Sequence, residues 1–188
     1  MKKSSNKSFT LIELLVAVTI FSISIVAATG LLAASLRGQG FTLASQELLD
    51  QTSYAMEYMS RALRMATKEL NCTDGTCSCL ANQGYNYELN GVSTIKFINH
   101  LQNDDCQEFS LENGRLKYTT GNGDFYLTGK DIKVTTLKFN VSGGSQDDDV
   151  QPKVTILLEA EKEGPTPEET PKIKIQTSIS QRNLDVRY

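Results

Sequence analysis

The chain has 188 residues, a formal net charge of -3, 39% hydrophobic residues and 22% charged residues. That composition fits one folded domain plus an anchoring segment, and it excludes a wholly disordered or collagen-like chain. The acidic balance argues against a dedicated nucleic-acid binder, because phosphate affinity is built from clustered Lys and Arg. Nucleic acid is therefore not expected to bind directly. A single His and no Trp leave no histidine-rich metal site and no choice of triad partners, so no enzyme activity, catalytic residue, metal or cofactor is expected.

In chain order, Lys2, Lys3 and Lys7 come first, and Leu14 to Leu36 then run for 23 positions without a charge. At about 1.5 Å per helical residue this run reaches roughly 34 Å, enough to cross a hydrocarbon core of about 30 Å. The basic flank predicts a cytoplasmic amino end, with everything after Arg37 outside. A secretory signal cut near Ala33, Ala34 and Ser35 is the plainer reading. However, the run exceeds the ~7 to 15 apolar residues of such signals, and a signal has no use for Glu13. An ionised carboxylate within a membrane helix costs on the order of 3 kcal/mol, so Glu13 calls for a cation.

The string Lys7-Ser8-Phe9-Thr10-Leu11-Ile12-Glu13-Leu14-Leu15 resembles the processing site of type IV pilins and pseudopilins, the class III signal peptide. The resemblance implies a leader over residues 1–8, cut between Ser8 and Phe9 by prepilin peptidase, N-methylation of Phe9, and Glu13 as the acid retained for assembly. Cleavage would expose a positive amine on Phe9, which Glu13 of a neighbouring subunit can neutralise. Because desolvation offsets much of that attraction, setting the register is its expected role. Such filaments usually have Gly before the cut, where this chain has Ser8.

Apolar residues continue at helical spacing through Phe41, Leu48, Ala55, Met59, Ala62, Leu63, Ala66 and Leu70, interleaved with charged and amide residues. This pattern predicts an amphipathic helix over 37–70 that extends the membrane segment of 9–36, making one helix of roughly 90 Å. Gly30, Gly38 and Gly40 weaken it by up to ~1 kcal/mol each; they serve either local melting or close helix packing.

Residues 71–188 read as a β-rich head stabilised by disulfides. Strands are predicted at 85–89, 93–99, 108–111, 115–120, 132–141, 153–161 and 172–180, with tight hairpin turns at Asn90-Gly91 and Asn113-Gly114. The last three strands are the longest and should form the sheet against the helix. The expected fold is α+β: a long amino-terminal helix, half transmembrane and half amphipathic, packed on an antiparallel sheet. Cys72, Cys77, Cys79 and Cys106 lie in the outside region, where an even count predicts two bridges. Pairing Cys77 with Cys79 is disfavoured by the strained ring, and the other connectivities stay open. A zinc or iron–sulfur site fits the spacing poorly. The stretches 143–149 and 163–171 read as solvated loops; Asp147, Asp148 and Asp149 lack the alternate spacing of a calcium loop, and His100 belongs to a turn.

The carboxyl-terminal run from Ile175 to Asn183 and the stretch from Leu49 to Arg64 resemble minor pilins of the W and J types. The function that follows from these resemblances is a minor subunit of a type IV pilus or type II secretion pseudopilus, acting in initiation or at the tip. The implied partners are prepilin peptidase, other pilin or pseudopilin subunits, the inner-membrane assembly platform and, before assembly, membrane lipid. The implied location is a single-pass membrane protein that passes into a surface or periplasmic filament. The alternative is a membrane-tethered extracytoplasmic binding domain that never polymerises. An anchored hydrolase finds no nucleophile with a nearby base.

Overall fold

The computed structural model describes residues 9–73, 76–144, 150–162 and 170–182. The leader with Ser8, the acidic stretch 145–149, residues 163–169 of the second polar loop, and Asn183 lie outside the described residues.

One helix, α1 (Leu11–Arg64), runs for 54 residues, about 80 Å at the standard rise. The strands that follow are β1 (Ala66–Thr67), β2 (Cys72–Thr73), β3 (Thr76–Cys77), β4 (Glu88–Leu89), β5 (Ile95–Asn99), β6 (Asp105–Glu112), β7 (Arg115–Thr120), β8 (Gly123–Tyr126), β9 (Ile132–Ser142), β10 (Lys153–Lys162) and β11 (Lys172–Ser180). All pairings are antiparallel. β5 to β8 follow one another in a sheet whose β5 edge carries β1 and β4; β11, β10 and β9 form a second sheet; β2 and β3 form a small ribbon. This is the expected α+β architecture, one long amino-terminal helix packed on antiparallel sheets.

The helix stops at Arg64 rather than continuing to Leu70. Met65 leaves helical geometry, its N–H bonding back to Ala62, and the Arg64 carbonyl accepts from the Arg182 amide at 2.9 Å. Ala66 and Thr67 then pair with Asn99 and Ile98. Ala66 is fully buried as expected, but on a strand, while Phe41 and Leu70 of the predicted apolar face stay exposed. The predicted strand 85–89 shortens to Glu88–Leu89, because the Tyr85 carbonyl is taken by the Glu69 amide at 2.9 Å. Asn113 and Gly114 both adopt positive φ and make the two-residue turn, whereas Asn90-Gly91 opens a longer loop in which only Gly91 is left-handed. β8 went unpredicted because Gly-Asp-Phe-Tyr lacks β-branched residues.

The carboxyl half of α1 packs Leu48, Ala55, Met56, Met59 and Leu63 into one core with Phe97, Phe109 and Leu116 of the first sheet and Val154, Ile156 and Leu158 of the second. On β9 the buried set changes parity, from Ile132 and Val134 to Leu137 and Phe139. A register shift between Glu159 and Ala160 of β10 inserts the extra residue that keeps both pairs on the core face.

Candidate functional site

Thr10 caps α1. Its backbone is extended, its hydroxyl accepts from the Glu13 amide at 3.4 Å, and the Glu13 carboxylate accepts from the Thr10 amide at 3.4 Å. The pair is a capping box, in which two otherwise orphaned helix N–H groups are satisfied reciprocally. A negative group in the first turn also complements the helix dipole. Phe9 precedes it and is 82% exposed. Thus Phe9 and Glu13 sit together at the helix tip, and the head is not brought to them.

Every residue from 11 to 39 is exposed, and the helix contains a stretch long and apolar enough to cross a membrane, with none of it buried by the other described residues. Four hydroxyls within this stretch bond to their own helix: Thr19 donates to the Val16 carbonyl, Ser22 to Val18, Ser24 to Ile20 and Thr29 to Ile25, at 2.8 to 3.0 Å. This is what an apolar medium requires, since no water is available there to take an orphaned hydroxyl proton.

Where the helix hands over to the head, sequence reasoning missed a buried carboxylate. Glu69 is fully buried. One of its oxygens accepts from the amides of Cys79 at 2.8 Å and Leu80 at 3.2 Å, and the other accepts from the Asn71 amide at 2.9 Å. The Ser78 hydroxyl reaches both oxygens. Burial pushes this carboxyl up, but the three amides and the hydroxyl outweigh it and hold it below its ordinary value. Glu69 thereby organises the segment that carries the cysteines. Bridges close between Cys72 and Cys77 and between Cys79 and Cys106. The first staples a local ribbon, while the second spans 27 residues and ties the segment to β6, so it removes more entropy from the unfolded chain. Both bridges formed, the four sulfurs offer no thiolate to a metal. His100 lies in a 3-10 turn, its ring 3.2 Å from exposed Asp104.

An aromatic cleft was also missed. Tyr54 and Tyr58 stand at i, i+4 on α1 opposite Tyr118 and Phe125. The helical spacing of the two tyrosines was the available signal, but their ring partners depend on β7–β8 pairing that the sequence does not display.

Residues 3–29 match the family model described as the prokaryotic N-terminal methylation motif. No curated protein and no solved structure matches the chain. The motif covers Lys3 and Lys7 of the basic flank, Phe9, Glu13 and the first part of the apolar helix. The chain thus carries a type IV pilin-like amino-terminal signal, followed by an exposed helix long and apolar enough to cross a membrane.

Proposed function

We propose that this chain is a minor pilin or pseudopilin. Prepilin peptidase removes residues 1–8, Phe9 becomes the methylated terminus, and the processed subunit leaves the membrane for a filament, in initiation or at the tip. Residues 9–36 form the membrane and assembly segment, 37–70 carry the chain into the head, and 71–188 are the head. The supporting observation is Glu13 at the tip of a bare apolar helix directly after the Ser8–Phe9 junction. Cleavage there places a positive amine at a helix N-terminus, against the dipole. A carboxylate from a neighbouring subunit cancels that charge as lipid is replaced by other helices, and so fixes the axial register.

The partners of this reading are the peptidase, further pilin-like subunits, the inner-membrane assembly platform and lipid, with the head on the extracytoplasmic side. Mass spectrometry of the mature amino end under non-reducing conditions tests it: a methylated Phe9 terminus supports it and a retained Met1 sinks it. Glu13→Ala is expected to insert in the membrane normally, relieved of a cost on the order of 3 kcal/mol, yet to be depleted from filaments. The capping box favours a second reading, the membrane-tethered binding domain, because it gives Glu13 a local use that needs neither cleavage nor a neighbour. Normal filament entry of Glu13→Ala would remove the register role.

A further inference from the structure

The inner face of the first sheet carries a cross-strand row in which Ile95 pairs with Phe109, Phe109 with Tyr118, and Tyr118 with Phe125. Helix α1 covers the row only in part. Tyr58 closes over it with its ring 5.2 Å from that of Tyr118, edge-on, and Phe109 and Tyr118 stack at 5.1 Å. Phe125, at the end of the row, is 52% exposed, and Tyr54, one turn back along the helix, is 60% exposed. Between them lies an open cleft of about 430 Å³, within the size range of small-molecule sites.

The polar groups of the cleft are oriented from behind. The Leu101 amide can only donate, and it donates to Asn99 Oδ1 at 3.0 Å, so Asn99 Nδ2 donates to Gln107 Oε1 at 3.0 Å. Gln107 Nε2 in turn donates to Gln102 Oε1, which also accepts from the Tyr118 hydroxyl at 3.3 Å. This relay fixes the Gln102 amide with its oxygen committed and its Nε2 as a donor that has no partner among the described residues. Asn122 adds a second amide to the lining.

No charged side chain lines the cleft. The charges beside it already have partners: Lys117 pairs with Asp124 at 2.8 Å and with Glu112 at 3.4 Å, and Arg115, over the lining Tyr126 ring at 4.0 Å, donates to the Thr128 carbonyl at 2.8 Å. An anionic ligand would meet no available cation, and a purely apolar one would strand the amides.

We propose that this cleft binds a neutral saccharide. A pyranose ring has an apolar C–H face that fits against an aromatic ring and a rim of hydroxyls that fits amide and phenol groups. Phe125 and Tyr54 would take the ring faces, and Gln102 and Asn122 the hydroxyls. The site lies where the carboxyl half of α1 meets the first sheet, and the proposal does not depend on whether the chain enters filaments.

The test uses the full-length chain in a zwitterionic, sugar-free detergent, since glycosidic detergents would compete. Saturation-transfer NMR is recorded with lactose, cellobiose and N,N′-diacetylchitobiose, and with glucuronate as the anionic control. The expected result is transfer to the ring C–H protons of at least one disaccharide and none to glucuronate. Phe125→Ala should weaken binding by about threefold to tenfold, the range an aromatic contact is worth. Tyr54→Ala, on the opposite wall, should do the same, and Val92→Ala, an exposed apolar residue outside the lining, should not. Absence of transfer to all three disaccharides, equal transfer to glucuronate, or unchanged binding in both aromatic variants overturns the proposal; the last would leave the exposed rings as a contact surface for another subunit.

Discussion

The two halves of α1 share one backbone geometry and opposite surroundings. In the first half Leu14 is 63% exposed and Leu31 75%; in the second, Leu48 is 2% exposed and Leu63 none. The carboxyl half is held by its own chain, through a core shared with both sheets. The amino half has nothing among the described residues to cover it, so an apolar medium such as lipid or other helices must do so. The two acids mark the same contrast. Glu69 is buried and accepts hydrogen bonds on both oxygens, whereas Glu13 holds only two capping contacts at 3.4 Å on an exposed tip.

The largest effect expected from this contrast comes from paired leucine truncations. Leu63→Ala removes a fully buried side chain and should cost about 2–5 kcal/mol of head stability. Leu31→Ala opens no cavity within the chain and should leave head unfolding where it was. Thermal unfolding of the full-length protein in detergent, followed by near-ultraviolet circular dichroism, reads both. A comparable loss at the two positions would mean that the amino half is also part of the folded core.

The next effect separates the acids. Glu69→Gln replaces an acceptor of several N–H groups with an amide whose own donors face them, at an expected cost of about 1.5–3 kcal/mol. The sign of its pH dependence follows from the lowered carboxyl. Unfolded, this group titrates at its ordinary value; folded, it stays ionised to lower pH. Its stabilisation is therefore complete above the unfolded value and is lost as pH falls through the lower folded one. The difference in unfolding free energy between wild type and Glu69→Gln should be flat above about pH 5 and shrink in acid. A difference that grew on acidification would contradict the cradle seen around this group.

The contrast within α1 was largely legible in the residues. A charge-free run followed by an amphipathic one distinguishes a helix that needs an outside cover from one that brings its own, and the Phe9–Glu13 spacing is local enough to be read directly. The long strands were legible for a similar reason: alternation on β9, β10 and β11 reports burial face by face. What could not be read depends on contacts distant in sequence. Ala66 has the same apolar character whether it ends a helix or begins β1; pairing with Asn99 decides it. Glu69 sits among residues of amphipathic pattern and gives no local sign that the amides of Cys79 and Leu80 will converge on it. The cleft required Tyr54 and Phe125 to meet across the helix–sheet layer. Cysteine count predicted bridges, but only the β2–β3 ribbon, with Cys72 opposite Cys77, selects between the open connectivities.

The smallest effect bears on what the amino half is built to do. Gly30 lies within it, and a Cβ placed there would meet nothing within 4 Å, so Gly30→Ala introduces no clash in the subunit and strengthens the helix by about 1 kcal/mol. Amide hydrogen exchange around residue 30 should slow about fivefold, while the amides of the head keep their rates, because no core contact joins the two. The consequence for assembly then distinguishes the two uses of this glycine. If the helix must loosen there as a subunit leaves the bilayer, Gly30→Ala enters filaments poorly although it inserts and folds normally. If Gly30 instead permits close approach of a neighbouring helix, Gly30→Leu blocks incorporation far more than Gly30→Ala, since bulk rather than helix propensity becomes the obstacle.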